Sequence, residues 1–267
     1  MSAPVAARTS RSALRAGAVA HRWGGVVGDS ITTFLARCSD DPDCPFHNDG
    51  DAEGAFDALM ERLDDQPIPT DDGRPDLNLA MALTAAAEAM YVPDRWPTLA
   101  EGLAAAEEGD GSGLLALFDS YYQRQDDGSW PNVLEAFQVI SCMDDPTRMT
   151  VEEEDAASAL YREAAPRFAP NTIGGYGCTF FPPSEDPRVA ITAKGAGPVL
   201  VMGTTGDPAT PIEGTRSMAD SLEDGRLVVV TAEGHGGYGT STCATEVIDR
   251  YLIDPVANAP EDGTTCD

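Results

Sequence analysis

The sequence predicts an α/β chain in two parts: a long helical region, then a β-α-β-α segment of parallel sheet. Three observations carry that expectation. Two short apolar runs, at 199–202 and 227–230, lie one helix length apart, and each leads into a glycine-flanked polar residue, first Asp207 and then His235. Upstream, apolar residues recur at helical spacing over most of 25–165. Between the two, residues 166–187 hold Pro166, Pro170, Gly174, Gly175, Gly177, Pro182, Pro183 and Pro187, the composition of a long loop or linker. The expected divisions are a disordered 1–24, a helical 25–165, a linker at 166–187 and an α/β segment at 188–267.

Each element has its own punctuation. Residues 31–37 form a short helix that ends at the first cysteine. Residues 52–63 place Phe56, Leu59, Met60 and Leu63 on one face. Asp76 stands where it can cap a helix over 77–90, with Leu79, Leu83, Ala86, Ala87 and Met90 as its stripe. Trp96-Pro97 opens 98–108, with Leu99 and Leu103 inward. Ser112 precedes 113–124, whose stripe is Leu114, Leu117, Phe118 and Tyr121. Residues 132–142 carry Leu134, Phe137, Val139 and Ile140. Thr150 with Glu153 reads as a capping box for 152–165. Every stripe reads as ordinary core rather than a cofactor box. In the C-terminal part, continuous apolar runs suit strands covered on both faces, as in a parallel sheet. Thr210-Pro211 supplies an N-cap and a first-turn proline for a helix running to Leu222, and a last helix spans 241–252.

With 267 residues and 42% hydrophobic content, the chain can bury a core as one large domain or two smaller ones. Its net charge of −28 excludes phosphate-driven nucleic-acid binding and disfavours anionic membranes. The acidic surface reads as soluble and self-repelling. No apolar run approaches bilayer length, so no integral membrane segment is expected. Residues 1–22 hold Arg8, Arg11, Arg15 and Arg22 among alanines and serines without an apolar core, which is not a complete signal peptide.

Six cysteines, Cys38, Cys44, Cys142, Cys178, Cys243 and Cys266, contain no C-x-x-C. An even count in an acidic, lysine-poor chain points to disulfides and an oxidising compartment. About fifteen connectivities are open in principle. The polar turn S-D-D-P-D suits a pair between Cys38 and Cys44. A bridge from Cys243 to Cys266 would pin the C-terminal tail, which leaves Cys142 and Cys178 as the third pair. Buried free thiols are the other reading.

The chemistry concentrates at Asp207 and His235. A serine hydrolase needs a hydroxyl, a base that takes its proton, and an acid that orients the base and stabilises its cation. Gly234, Gly236 and Gly237 let the chain turn sharply around His235. Asp207 lies one strand–helix–strand step earlier, and a right-handed crossover makes those two loops neighbours on one edge of the sheet. An acid followed by a histidine is the order of α/β-hydrolases. Taken singly, the histidine reads as structural and the aspartate as a turn residue before Pro208. Together, in this strand context, the catalytic reading is favoured.

No G-x-S-x-G occurs in the sequence. Gly28-Asp29-Ser30-Ile31 is similar to the G-D-S-L block of another esterase class. That class needs an aspartate three residues before its histidine, where Ala232 stands, and Val26-Val27 is too short for a strand. Ser217 and Ser241 lack an elbow. His21, His47 and His235 are scattered, with no H-E-x-x-H and no phosphate-cradling glycine loop, so neither a metal nor a cofactor is expected. Carboxylate pairs such as Asp40-Asp41 and Asp64-Asp65 read as solvated faces.

The stretch G-T-T-G-D-P-A-T-P through E-G-H-G to the final G-T-T-C resembles the C-terminal part of the tripeptidyl aminopeptidase-like α/β-hydrolases. These are secreted serine exopeptidases related to prolyl aminopeptidases. The upstream pieces C-S-D-D-P-D-C-P-F, A-M-Y, W-P-T-L-A, V-I-S-C-M-D and G-Y-G-C resemble that family's helical cap, or lid, so the likeness runs from about residue 30 to the end. It implies a partial α/β-hydrolase fold, with Asp207 and His235 as triad acid and base. It supports the three cysteine pairs, a secreted or extracytoplasmic setting, and a peptide substrate with a free N-terminus. It also implies that the nucleophile elbow and the oxyanion loop precede the cap. Two expectations follow. One is a hydrolase whose nucleophile lies outside these residues, and the other is an inactive remnant or a non-enzymatic binding module. Either way, the sheet should expose an unpaired strand edge.

Overall fold

The computed structural model describes residues 25–71, 73–144, 148–185 and 189–267. The expectation for 1–24 lies outside them. The chain divides into two compact units. One holds the described residues up to Ala89 and from Asp94 onward to 185, and the other holds Met90–Pro93 with Val189–Asp267.

The first unit is helical. Helix α1 runs from the first described residue through 40, longer than the 31–37 expected. Val27, Ile31, Phe34, Leu35 and Cys38 are buried at helical spacing. Burial of that stripe outweighs the cost of Gly25 and Gly28 in a helix. Cys38 is bonded to Cys44. Helix α2 (Ala52–Asp65) is capped by Asp51, whose side chain accepts the Gly54 N–H, and it buries Phe56, Leu59, Met60 and Leu63. Ile68 and Leu77 then pair as an antiparallel bridge. That bridge holds Leu77 extended, so helix α3 (Leu79–Met90) starts later than expected. Its cap is Asn78, which accepts the Met81 N–H at 3.0 Å, and not Asp76. Helices α4 (Trp96–Glu107) and α5 (Ser112–Tyr121) contribute Leu99, Leu103, Leu114, Leu115 and Leu117 to the core.

Helix α6 (Val133–Asp144) departs from expectation. Its stripe reads as core, yet Phe137 is 61% exposed and Ile140 59%, with Val133, Val139 and Met143 also exposed. Only Cys142 is buried in it, joined to Cys178. Periodicity marks a face as apolar; whether anything covers that face is decided elsewhere in the fold. Helix α7 (Val151–Ala164) has the capping box foreseen at Thr150 and Glu153. The stretch 166–187 is more than a linker. It contains the short helix α8 (Ala169–Thr172), and Ala169 packs against Ala157 and Tyr161 of α7. Cys178 ties the stretch to α6, and Arg148 donates to the carbonyls of Phe181 and Pro182.

The second unit is a three-stranded parallel sheet in the order β1-β2-β3. Strands β1 (Val199–Gly206) and β2 (Gly225–Glu233) are longer than their apolar centres. They are joined through helix α9 (Ile212–Ser221). Val228, Val229 and Val230 are buried in succession, so β2 is covered on both faces. Helix α10 (Thr242–Ile253) is capped by Ser241 and leads to β3 (Thr264–Cys266). Strand β3 is too short and polar to stand out in the sequence. The bond between Cys243 and Cys266 fixes it against the cluster of Val228, Val230 and Ala244. Among the described residues β1 pairs only with β2, so its other edge is open.

Candidate active site

Because β1 and β2 are parallel, their C-terminal ends lie on the same edge of the sheet. The register is regular from Val199↔Gly225 to Thr204↔Val230, then shifts so that Gly206 faces Glu233. Thus β2 carries one extra residue there, a bulge of the kind that re-aims side chains next to functional sites. Two hydrogen bonds lock the staggered ends. The Thr204 hydroxyl donates to the Gly234 carbonyl at 2.5 Å, and the Gly234 N–H donates to the Gly206 carbonyl at 3.2 Å. Asp207 follows directly from β1, and His235 stands two residues beyond β2.

The two side chains meet. The Nδ1 atom of His235 lies 2.9 Å from Oδ2 and 3.0 Å from Oδ1 of Asp207. The aspartate side chain is only 3% exposed, whereas the imidazole is 43% exposed. A buried carboxylate is tolerated only when its oxygens are met by donors. Here Oδ1 accepts the N–H groups of Ala209 and Thr210, both at 2.8 Å, and Oδ2 accepts the Thr210 hydroxyl at 2.8 Å. Thr210 Oγ1 also stands 3.3 Å from Nδ1. The acid is therefore braced by the turn that follows it. With Nδ1 directed at a carboxylate, the tautomer carrying the proton on Nδ1 is favoured, which leaves Nε2 as the basic nitrogen. Nε2 has no hydrogen-bond partner among the described residues.

The sequence reading placed Thr210 as a helix cap. Instead, Pro211 holds the cap position of α9 and Thr210 serves the aspartate. The D-P-A-T spacing carried that signal, since an aspartate commonly accepts from N–H groups two and three residues ahead. Tyr91, quoted in the cap-like A-M-Y, was not foreseen as a neighbour of His235. Its carbonyl accepts the His235 N–H at 2.8 Å. Ser30 lies inside helix α1, not at a strand-to-helix turn, and is only 4% exposed. The six cysteines form the pairs 38–44, 142–178 and 243–266, which leaves no free thiol. Among the described residues no group of three or more His, Cys, Asp or Glu side chains could hold a metal ion.

An acid on the loop after one parallel strand, bonded to a histidine on the loop after the next, belongs to an α/β-hydrolase fold. Residues 166–266 match the family described as TAP-like protein. This part of the chain is similar to that family. The chain as a whole is similar to carboxylesterase B of Mycobacterium tuberculosis, with 31% identity over 232 residues, covering 84% of this chain and 44% of that protein. It is also similar to serine protease Hip1 of Mycobacterium tuberculosis and of Mycobacterium bovis. Each of those matches has 29% identity over 255 residues, covering 89% of this chain and 48% of the relative. The chain thus spans less than half the length of these curated relatives. Asp207 and His235 both fall inside the TAP-like segment.

Proposed function

We propose that Asp207 and His235 are the acid and base of a serine hydrolase whose nucleophilic hydroxyl lies outside these 267 residues. The observation that carries this reading is the bond from Nδ1 of a part-exposed imidazole to a buried carboxylate. His235 takes the proton of the attacking hydroxyl and returns it to the leaving group. Asp207 holds the imidazole in the right tautomer and stabilises its cation. The relatives named as an esterase and a protease support acyl transfer to water as the reaction class. The resemblance to tripeptidyl aminopeptidases supports peptides with a free N-terminus as substrates. Three disulfides support an oxidising, extracytoplasmic setting. Among the described residues no helix is long and apolar enough to cross a membrane.

Fluorophosphonate labelling tests the proposal. The 267-residue chain alone should not react. In a polypeptide that also carries the nucleophile segment, labelling should be strong, and Asp207→Asn should slow it by about 10⁴-fold, the effect seen when a triad loses its acid. Labelling of the isolated chain at Ser30 would refute the assignment. Labelling of the longer polypeptide at full rate with His235→Ala would favour a site elsewhere, with this segment as a binding module.

A further inference from the structure

The chain leaves α3 at Met90, and Met90–Pro93 belongs to the sheet unit. There Tyr91 touches His235 twice. Its carbonyl accepts the His235 N–H at 2.8 Å. Its ring meets the imidazole nearly at right angles, with centroids 5.5 Å and planes 75° apart. The neighbouring loop residue is equally close. Gly234 has φ +92°, and a methyl group there would lie 2.7 Å from Pro93 Cδ and 3.0 Å from the Tyr91 carbonyl oxygen. Only glycine lets the histidine loop approach this segment so closely.

These contacts answer a need that Asp207 leaves unmet. An imidazole that is 43% exposed can swing its Nδ1–H away from the carboxylate and satisfy it with water. A base with a freely turning ring spends only part of its time aimed at its substrate. A perpendicular aromatic neighbour restricts that rotation, and the carbonyl anchors the backbone that carries the ring.

We propose that Tyr91 is a positioning residue for His235: its carbonyl fixes the loop, and its ring confines the imidazole to the orientation in which Nδ1 faces Asp207. The inference rests on the acid–base reading given above. It assigns a role in the site to a residue more than a hundred positions before the TAP-like pair in the sequence.

Nuclear magnetic resonance on the ¹⁵N-histidine-labelled 267-residue chain tests it. Wild type should show His235 as the Nδ1–H tautomer, with a downfield Nδ1 proton that exchanges slowly with water. Tyr91→Phe keeps ring and carbonyl and should retain that signal. Tyr91→Ala should speed its exchange by about two- to tenfold. A merely structural role would lower the melting temperature and leave the tautomer and its exchange rate unchanged. Tyr91→Leu keeps the carbonyl and an apolar side chain but removes the aromatic face, and it should speed exchange likewise. If Tyr91→Ala does not fold, Tyr91→Leu decides. Unchanged exchange in the folded variants overturns the inference. No such signal in wild type, or its survival in Asp207→Asn, would instead overturn the acid–base reading.

Discussion

Replacing Asp207 by alanine and by asparagine separates two jobs that one carboxylate performs. Alanine removes the acceptor of the Ala209 and Thr210 N–H groups, the acceptor of the Thr210 hydroxyl, and the partner of His235. Thr210 is exposed enough for water to replace the hydroxyl's partner. The two part-buried amides are less easily satisfied, and a lost acceptor costs about 1–3 kcal/mol for each buried donor. At the low end of that range for both, the turn after β1 loses about 2–3 kcal/mol. Amide hydrogen exchange at Ala209 and Thr210 should then quicken by about 30- to 150-fold in Asp207→Ala. Asparagine retains an oxygen at the Oδ1 position, so both amides should stay protected to within about threefold. Its NH₂ group now faces Nδ1, however, and a donor there requires a bare nitrogen. The imidazole of Asp207→Asn should therefore carry its proton on Nε2, as ¹⁵N-histidine spectra would report. If exchange at Ala209 and Thr210 is the same in Asp207→Ala as in wild type, the brace described here does not exist in solution.

Other expectations concern stability and surface. The bond between Cys243 and Cys266 closes a separation of 23 residues. Loop-closure entropy then makes Cys243→Ser with Cys266→Ser about 3 kcal/mol less stable, with protection lost first at β3, as hydrogen exchange would show. Burial, and then the charge of Asp155, hold the Glu154 carboxyl above its usual range. The folded chain thus keeps that proton to higher pH than the unfolded chain, so stability falls as pH rises through the folded value. Glu154→Gln should melt higher than wild type at neutral pH, and the gain should vanish on acidification through the carboxylate range. A pH-independent difference would contradict this account. On α6, Phe137→Glu with Ile140→Glu should lower binding of a hydrophobic dye while changing stability by no more than about 0.5 kcal/mol per site, because both residues are exposed. Cooperative loss of the helical core by circular dichroism would show that they are buried after all.

Most of what positions the site was legible because it is local. Strand β2 announces itself through Leu227–Val228–Val229–Val230, and α7 through Thr150 and Glu153. The acid and the histidine follow from strand order and parallel pairing. What escaped depends on partners distant in sequence or on backbone atoms. Strand β3 has only Thr-Thr-Cys, and it exists because Cys266 is tied to Cys243 and pairs beside Val228–Val230. The bridge between Ile68 and Leu77 displaced a helix start that Asp76 alone would have placed earlier. On α6 the apolar spacing was read correctly as a face and wrongly as interior. The A-M-Y piece marked Tyr91 as cap-like but not its bond to His235, because a carbonyl is common to every residue and nothing in a side-chain pattern tells which one will hold a loop 144 positions away.

The one-residue offset between the ends of β1 and β2 sets a rule for anyone who would move this chemistry into another protein. Thr204, Gly206 and Gly234 interlock across the offset, so neither loop keeps its aim without the other. A graft that swaps only the turn bearing the carboxylate, or only the one bearing the imidazole, would mismatch the two strand tips. Residues 204–235 have to travel as a single cassette, and the host must supply an acceptor where the Tyr91 carbonyl stands.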